Sequence, residues 1–329
     1  MKSTGFYHLG ELDGAHAAAL VARALELRAG AAPQRFPGRA LALYFLAPSL
    51  RTSASFQRAA QKLGLDLLQL SGAGTWGLET RDGAVMDGDA AEHVREAAPV
   101  LGRYADLLAV RAFPKGGPAE EEFRDPVMRA FREHAGVPVI NMESVLWHPC
   151  QALADWTTLE QLAVPQRAKL VLTWAWHPKP LPHAVPSSTL CMAAQRGMDV
   201  VLLRPEGWDL HADVMAEARR LADAAGGTLT VTADRAAALA GASVVYAKSW
   251  GSLTHWGDVE AESAARANLR DWCVQPDWLA DGAHFFHCLP VRRNVVVADA
   301  VLDGPASAVV EQAENRLHAQ TALLEDLLS

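Results

Sequence analysis

Short apolar runs alternate with longer amphipathic stretches along most of the chain. Residues 40–46 are apolar throughout, which is typical of a buried strand, and residues 53–64 have helical spacing that ends at Gly64. Residues 11–29 have the Ala- and Leu-rich pattern of an amphipathic helix. Further elements of the first half are predicted as strands at 65–70, 106–110 and 137–142 and as helices at 90–104 and 148–163.

The same alternation resumes after residue 168. Strands are predicted at 169–175, 199–203, 228–232, 243–247 and 284–287, with helices between them and a last helix at 311–328. Strands that alternate with helices favour parallel sheets joined by right-handed crossovers. The sequence therefore predicts an α/β protein of two domains, each a parallel sheet flanked by helices. The break at 164–167 is a candidate boundary, and the helix before it is a candidate connector.

A hydroxyl-rich segment, residues 48–53, separates the first long strand from its helix. The first turn of a helix has free backbone N–H groups and favours negative charge. Ser49, Thr52 and Ser53 add hydroxyl donors, and Arg51 adds a two-pronged cation that suits phosphate. The segment lacks a Walker lysine and a G-x-G-x-x-G pattern, so it predicts an anion site of another kind. The alternative is an ordinary helix N-cap with a surface arginine.

Composition narrows the classes of partner. The net charge of the 329 residues is -8 and no long basic run occurs, which disfavours nucleic acid. The four cysteines lack metal-ligand or disulfide-framework spacing and suit a reducing cytosol. No signal-peptide core and no membrane-spanning run is found. We therefore expect a cytoplasmic protein without a metal, a cofactor or a membrane partner.

Polar and reactive residues follow the predicted strands of both halves. Ligands bind at the carboxyl ends of the strands in such sheets, and a cleft between two units would gather several cations around one anion. Each residue taken singly has a simpler reading as a capping, surface or core residue. The candidates are Ser49, Leu50, Arg51, Thr52, Arg111, Glu143, His148, Gln151, His177, Lys248, Cys288 and Arg292.

Three short motifs, at residues 49–52, 148–151 and 287–290, resemble those of the transcarbamylase family in their residues, order and spacing. The resemblance covers essentially the whole chain. The resemblance implies a carbamoyl-phosphate domain (1–148), an acceptor domain (149–310) and a C-terminal helix (311–329) that returns to the first domain. It also implies a homotrimer in which Trp76 reaches the active site of a neighbouring subunit. Trp76 has a plainer reading as a core or lid aromatic.

The resemblance also implies roles for individual residues. Arg51, Arg111, His148 and Cys288 would be catalytic, in a reaction that needs only fixed donors and cations around carbamoyl phosphate. Ser53 stands where many relatives have another arginine, which removes one cation from the phosphate site. Residues 49–52 would hold phosphate, Arg111, His148 and Gln151 would hold phosphate and carbonyl oxygens, and Cys288, Leu289 and Arg316 would complete the carbamoyl pocket.

The acceptor is predicted to be an acylated ornithine. Lys248 stands where ornithine enzymes have an aspartate that holds the free α-ammonium, and a lysine would repel that group but pair with a carboxylate. Residues 173–181 and 85–89 resemble the acylornithine transcarbamylases. The acceptor would then contact Glu143, His177, Lys248, Arg292 and Ala91.

Two acyl groups, succinyl and acetyl, remain open. The acetylornithine enzymes have a glutamate facing the acyl group at the position of Ala91, and a lysine at the position of Val296. A glutamate would repel a succinyl carboxylate, whereas Ala91 does not. Glu92 is adjacent, and a shift of one residue would reverse the argument. The sequence favours N-succinylornithine as the substrate, in arginine biosynthesis, with N-acetylornithine as the alternative.

Two other classes of function were weighed. A non-catalytic binding relative is disfavoured because Arg51, Arg111, His148 and residues 288–290 are all present. A nucleotide-dependent α/β enzyme is disfavoured because neither half opens with a glycine-rich phosphate fingerprint.

Overall fold

A computed structural model describes residues 5–72, 76–114 and 116–329. The strands are β1 (Gly5–Phe6), β2 (Ala40–Phe45), β3 (Asp66–Ser71), β4 (Gly77–Glu79), β5 (Ala90–His93), β6 (Leu107–Arg111), β7 (Val139–Glu143), β8 (Lys169–Trp174), β9 (Asp199–Leu203), β10 (Thr228–Thr232), β11 (Val244–Lys248) and β12 (His284–Phe286). The helices are α1 (Gly14–Arg28), α2 (Leu50–Leu63), α3 (Val94–Tyr104), α4 (Ala119–Glu122), α5 (Pro126–His134), α6 (Pro149–Gln161), α7 (Ala184–Gln195), α8 (Ala212–Ala225), α9 (Arg235–Leu239), α10 (Val259–Arg266), α11 (Asp299–Leu302) and α12 (Val309–Leu328).

The strands form two five-stranded parallel sheets flanked by helices. Their orders are β1-β7-β6-β2-β3 and β10-β9-β8-β11-β12, and β4 pairs with β5 in a separate two-stranded ladder. The central strands β6, β7 and β11 are buried along their whole length, as parallel strands covered on both faces must be. The predicted two-sheet α/β architecture is confirmed. The domain limits that the resemblance implies remain a prediction.

Helix α2 begins three residues earlier than its pattern predicts. Ser49 is the N-cap, and its Oγ accepts a hydrogen bond from the Thr52 N–H at 3.3 Å. The helix ends as predicted, at Gly64, whose φ of 70° is the left-handed C-cap conformation that glycine adopts without strain. The hydroxyl-rich segment is therefore the first turn of the helix itself. Because the Thr52 N–H donates to Ser49, the N–H groups left for a ligand are those of Leu50 and Arg51.

Residues 90–93 form a strand, so the prediction of helix there is wrong. They pair with β4 in parallel, and the register shift after Gly77 leaves Ala91 as an extra residue in the ladder. Helix α3 starts only at Val94 and includes Pro99. A pairing between separate segments cannot be deduced from local spacing, which explains the error. The sequence of residues 71–77 is rich in glycine, which predicts a mobile segment, and residues 73–75 of this segment lie outside the described residues.

The last helix, α12, packs against α1, α2 and α6. Most of its length is buried, including Gln312, Asn315 and Arg316, so it is an internal helix with polar side chains facing other elements. In the part of the chain that the structure describes, no helix has both the length and the apolar character needed to cross a membrane.

Candidate active site

The carboxyl ends of strands from both sheets open onto one cavity of about 500 Å³. Most residues that the sequence singles out line it, and Leu50, Trp76 and Ala91 do not. The lining residues that were predicted are Ser49, Arg51, Thr52, Arg111, Glu143, His148, Gln151, His177, Lys248, Cys288, Leu289, Arg292 and Arg316.

The N-terminus of α2 forms one wall of this cavity. Leu50 is 82% exposed and does not line the cavity, so its side chain is not part of the site. Thr52 is fully buried, and its Oγ1 accepts a hydrogen bond of 2.5 Å from Nη2 of Arg316. This contact fixes a cation beside the free N–H groups of the helix, an arrangement that suits an anionic ligand.

Positive charge dominates the cavity. Among the described residues, five cationic side chains line it, from Arg51, Arg111, Lys248, Arg292 and Arg316, against the single carboxylate of Glu143. Among the residues that the structure describes, only Arg111 of these five forms an ion pair. The Nε atoms of Arg51, Arg111 and Arg316 are buried, and none of them has a hydrogen-bond partner among the described residues. Burial lowers the pKa of both Arg51 and Arg316. The clustered cations repel one another, and burial removes water from them. A multiply charged anion would offset both costs.

Glu143 connects two of the candidate residues. Its Oε2 accepts a hydrogen bond from Nη1 of Arg111 and lies 3.5 Å from Nε2 of His148. The Arg111 guanidinium also lies over the Phe113 ring, 4.5 Å from its centroid. Burial, followed by the charges of Arg316 and Arg111, lowers the pKa of His148 well below its usual value. His148 is therefore a neutral imidazole at neutral pH, and it acts through hydrogen bonding rather than charge.

The loop after β12 turns sharply into the cavity. Leu289 has a φ of 55°, an uncommon conformation for a residue with a side chain, and its N–H donates to Nδ1 of His287 at 2.9 Å. Burial raises the pKa of the Cys288 thiol, so the sulfur stays protonated. The loop thus offers a neutral thiol and backbone carbonyls rather than a thiolate nucleophile.

Three predicted acceptor residues lie on the opposite side, at the ends of the second sheet. Nε of Arg292 donates to Nε2 of His177 at 3.0 Å, and Nδ1 of His177 then donates to the Lys179 carbonyl at 2.8 Å. Burial lowers the pKa of His177, in keeping with a neutral ring that accepts from an arginine. Lys248 is 9% exposed and is the last residue of β11. These groups suit a ligand that carries carboxylates.

Trp76 and Ala91 lie together on another part of the surface. Trp76 is 60% exposed, and its indole Nε1 donates to Oε2 of Glu92 at 2.6 Å. Ala91 is exposed at the irregularity of the β4-β5 ladder, whereas Glu92 is half-buried. The single chain does not bring these residues into the cavity. The role of Trp76 across a subunit boundary and that of Ala91 at the acyl group stay predictions.

Sequence reasoning missed the apolar part of the lining. Pro48, Leu181 and Pro290 lie in segments that the sequence singles out, but no role was assigned to them. The position of Phe113, two residues after Arg111, could also have suggested a place at the site. The residues concerned are Pro48, Phe113, Leu181, Pro182, Val185, Pro290 and Val291.

Comparison with known proteins gives consistent matches over both sheets. The family model described as aspartate/ornithine carbamoyltransferase, carbamoyl-P binding domain, matches residues 5–161, and the Asp/Orn binding domain model matches residues 182–327. The N-acetylornithine carbamoyltransferase of Xanthomonas campestris pv. campestris is 41% identical, with 100% of this chain and 98% of the relative covered. The N-succinylornithine carbamoyltransferase of Bacteroides fragilis is 37% identical, with 88% and 87% covered.

Solved structures agree with this fold. Acetylornithine transcarbamylase complexed with acetylcitrulline has a TM-score of 0.95 and 41% identity, covering 98% of each chain. A variant of N-acetyl-L-ornithine transcarbamylase with one glutamate changed to alanine, complexed with carbamyl phosphate and N-succinyl-L-norvaline, also has a TM-score of 0.95. It is 42% identical and covers 98% of this chain and 99% of that one.

Proposed function

This chain belongs to the aspartate/ornithine carbamoyltransferase family, in its N-acylornithine branch, and we propose that its acceptor within that branch is N-succinyl-L-ornithine. It is a carbamoyltransferase that acts on an N-acylornithine. In the proposed reaction the side-chain amine attacks carbamoyl phosphate and gives N-succinyl-L-citrulline and phosphate. The reaction belongs to arginine biosynthesis.

The observation that carries the site assignment is the cluster of cations with only one carboxylate among them. We assign the phosphate to the N–H groups of residues 50 and 51, the Ser49 and Thr52 hydroxyls, and the Arg51 side chain. Arg316 and Arg111 would contact the phosphate and the carbonyl oxygen, with neutral His148 as a hydrogen-bond partner. Such a cluster, fixed before the ligand arrives, favours a bound anion without reorganisation during the reaction.

Gln151 has a different part in this proposal. Its Nε2 donates to Asp155, and its Oε1 is buried without a partner among the described residues. A buried oxygen of this kind requires a donor, and carbamoyl phosphate has one in its amide N–H. We therefore assign the oxygen of Gln151 to the carbamoyl amide, together with the backbone carbonyls of Cys288 and Leu289. This assignment replaces the oxygen-binding role that the resemblance implies for Gln151.

The chemistry then follows from charge. When the amine nitrogen bonds to the carbonyl carbon, negative charge develops on the carbonyl oxygen and on the phosphate whose C–O bond breaks, and a proton leaves the amine. Donors and cations aimed at both oxygens lower this barrier. On the acceptor side, Glu143, His177, Lys248 and Arg292 are assigned to the acylornithine. Lys248 and Arg292 are cations that can pair with its carboxylates.

Ala91 supports succinyl as the acyl group. It is small, exposed and uncharged at the position where the resemblance expects a glutamate in acetylornithine enzymes. The solved relative in which a glutamate is changed to alanine is complexed with N-succinyl-L-norvaline, which agrees with this reasoning. The proposal further includes a homotrimer in the cytoplasm, in which Trp76 and Ala91 of one subunit border the cavity of the next.

N-acetylornithine is the second candidate. The relatives with 41% identity over the whole chain are N-acetylornithine carbamoyltransferases, against 37% for the N-succinylornithine enzymes. A side-by-side transfer assay with ornithine, N-acetylornithine and N-succinylornithine decides between them. We expect the largest kcat/KM with N-succinylornithine and negligible transfer to ornithine. A larger value for N-acetylornithine would overturn the choice of acyl group, and release of no citrulline derivative would overturn the transfer activity.

A further inference from the structure

A buried carboxylate outside the cavity joins the helix that carries Gln151 to two other elements. Asp155, one turn after Gln151 on α6, is fully buried. Its Oδ1 accepts from Nε2 of Gln151 and from Nε2 of Gln312 on α12, each at 2.8 Å. Its Oδ2 accepts from the Tyr246 hydroxyl on β11 at 3.0 Å. Three segments that are distant in sequence therefore meet at one side chain.

These contacts fix the orientation of both glutamine amides. Oε1 of Gln312 accepts the backbone N–H of His287 at 2.9 Å, so only its NH₂ end can face Asp155. Oδ1 of Asp155 is consequently an acceptor toward both glutamines. Gln151 must also present its NH₂ end there, which turns its Oε1 away from Asp155 and leaves that oxygen as its unpartnered group.

We propose that Asp155 is a positioning residue that turns the oxygen of Gln151 toward the carbamoyl amide and thereby makes the site select an N–H group. This inference rests on the proposed function, because it takes carbamoyl phosphate as the ligand of the cavity. Asp155 lines no part of the cavity and acts through Gln151. The same carboxylate, through Gln312, also holds the backbone of His287, which precedes Cys288 in the carbamoyl pocket.

The orientation does not depend on the charge of Asp155. Burial raises the pKa of Asp155 to about 7. The hydrogen bonds from Gln151, Gln312 and Tyr246 and the charge of Arg316 lower this pKa but do not cancel the effect of burial. Both glutamines contact Oδ1, so a proton can occupy Oδ2, which faces the Tyr246 hydroxyl. An asparagine can place its oxygen at Oδ1 and its NH₂ group toward Tyr246 in the same way. Asp155→Asn should therefore preserve the orientation, whereas Asp155→Leu should remove it.

Two stable analogues measure the selection directly. Phosphonoacetamide keeps the amide of carbamoyl phosphate, and 2-oxopropylphosphonate has a methyl group in place of the NH₂. We would measure both Kd values by titration calorimetry. A site with a buried acceptor discriminates against the ligand that leaves it unpaired. Wild type should bind the amide more tightly by about 5- to 150-fold, the range for one buried hydrogen bond.

The variants separate positioning from general damage. Asp155→Asn should keep the wild-type ratio of the two Kd values within about 3-fold, and Asp155→Leu should reduce it toward 1 while inorganic phosphate still binds. Gln312→Met removes one of the two amides from Oδ1 of Asp155 and should reduce the ratio of the two Kd values by at least about 3-fold. This variant replaces Asp155→Leu in the test if Asp155→Leu does not fold. Gln320→Met is the matched control, since Gln320 is a fully buried glutamine on the same helix without a contact to Asp155.

A full preference for the amide in folded Asp155→Leu, or in folded Gln312→Met, would overturn the inference. So would an equal weakening of both analogues, which is the expected result of a merely structural role. If wild type binds both analogues but has no preference, the inference fails while the carbamoyl-phosphate site stands. If wild type binds neither, the proposed function fails and the inference with it.

Discussion

Arg316, in the last helix, donates a hydrogen bond of 2.5 Å to the hydroxyl of Thr52, in the first turn of α2. Both side chains are buried. The bond is made by Nη2 of Arg316, and among the described residues its Nε has no hydrogen-bond partner. Gln312, one turn earlier on the same helix, holds Asp155 and the His287 N–H. Helix α12 therefore connects the phosphate side of the cavity, helix α6 and the loop after β12.

Removal of this hydroxyl should weaken both the fold and the site. Thr52→Val leaves a buried guanidinium without its acceptor, which should lower the free energy of unfolding by about 1–3 kcal/mol. Inorganic phosphate should recover part of the lost thermal stability by giving Arg316 a new acceptor. Thr157→Val is the control, because among the described residues the buried Thr157 hydroxyl bonds only to the Leu153 carbonyl of its own helix. Equal losses in the two variants would contradict the special role of Thr52.

Arg51→Ala should abolish most turnover without unfolding the protein. Arg51 has no carboxylate partner in the described part of the chain, so its loss breaks no ion pair there. Loss of one preorganised cation at the phosphate should cost about 3–4 kcal/mol, or roughly 100- to 1,000-fold in kcat/KM. Steady-state kinetics would be compared with Arg58→Ala, an exposed arginine on the same helix. Wild-type kinetics in folded Arg51→Ala would overturn the assignment of the carbamoyl-phosphate site.

Ala91→Glu should change acyl selectivity. If Ala91 faces the acyl group, the new carboxylate repels the succinyl terminus by about 1–4 kcal/mol, depending on the effective dielectric constant. The kcat/KM for N-succinylornithine should fall by about 5- to 800-fold, and that for N-acetylornithine much less. Ala91→Gln, which adds the same bulk without charge, is the control. An unchanged ratio of the two specificity constants would mean that Ala91 does not select the acyl group.

Subunit mixing tests whether Trp76 acts on a neighbouring cavity. Trp76 is largely exposed and lies outside the cavity of its own chain, so Trp76→Ala should impair activity with little effect on the fold. Mixing Trp76→Ala with Arg51→Ala under conditions of subunit exchange should restore part of the activity, because some sites then combine two intact halves. Labelled subunits would establish that exchange has occurred. Absence of recovery after proven exchange would show that each chain builds its site alone.

Local patterns predicted most strands of the two large sheets well, both a strand buried along its whole length such as β11 and the partly exposed edge strand β10. Strands β9 and β10 have the predicted limits, and β2, β6, β8 and β11 differ by one residue at an end or at both. A parallel sheet covered by helices requires apolar runs of strand length, and the run itself is in the sequence. The pattern failed at residues 90–93, where pairing with β4 decides the conformation.

The candidate residues themselves came from the sequence, through polar groups at strand ends and through three motifs. The sequence by itself determined the fold class, the family and the identity of the charged groups, because periodicity and residue chemistry are local properties. Only the tertiary structure decided that Glu143 pairs with Arg111, that Asp155 fixes Gln151, and that Arg316 bonds to Thr52 across 264 positions. Such contacts depend on how helices pack against sheets, and packing is a property of the whole chain that no segment encodes alone.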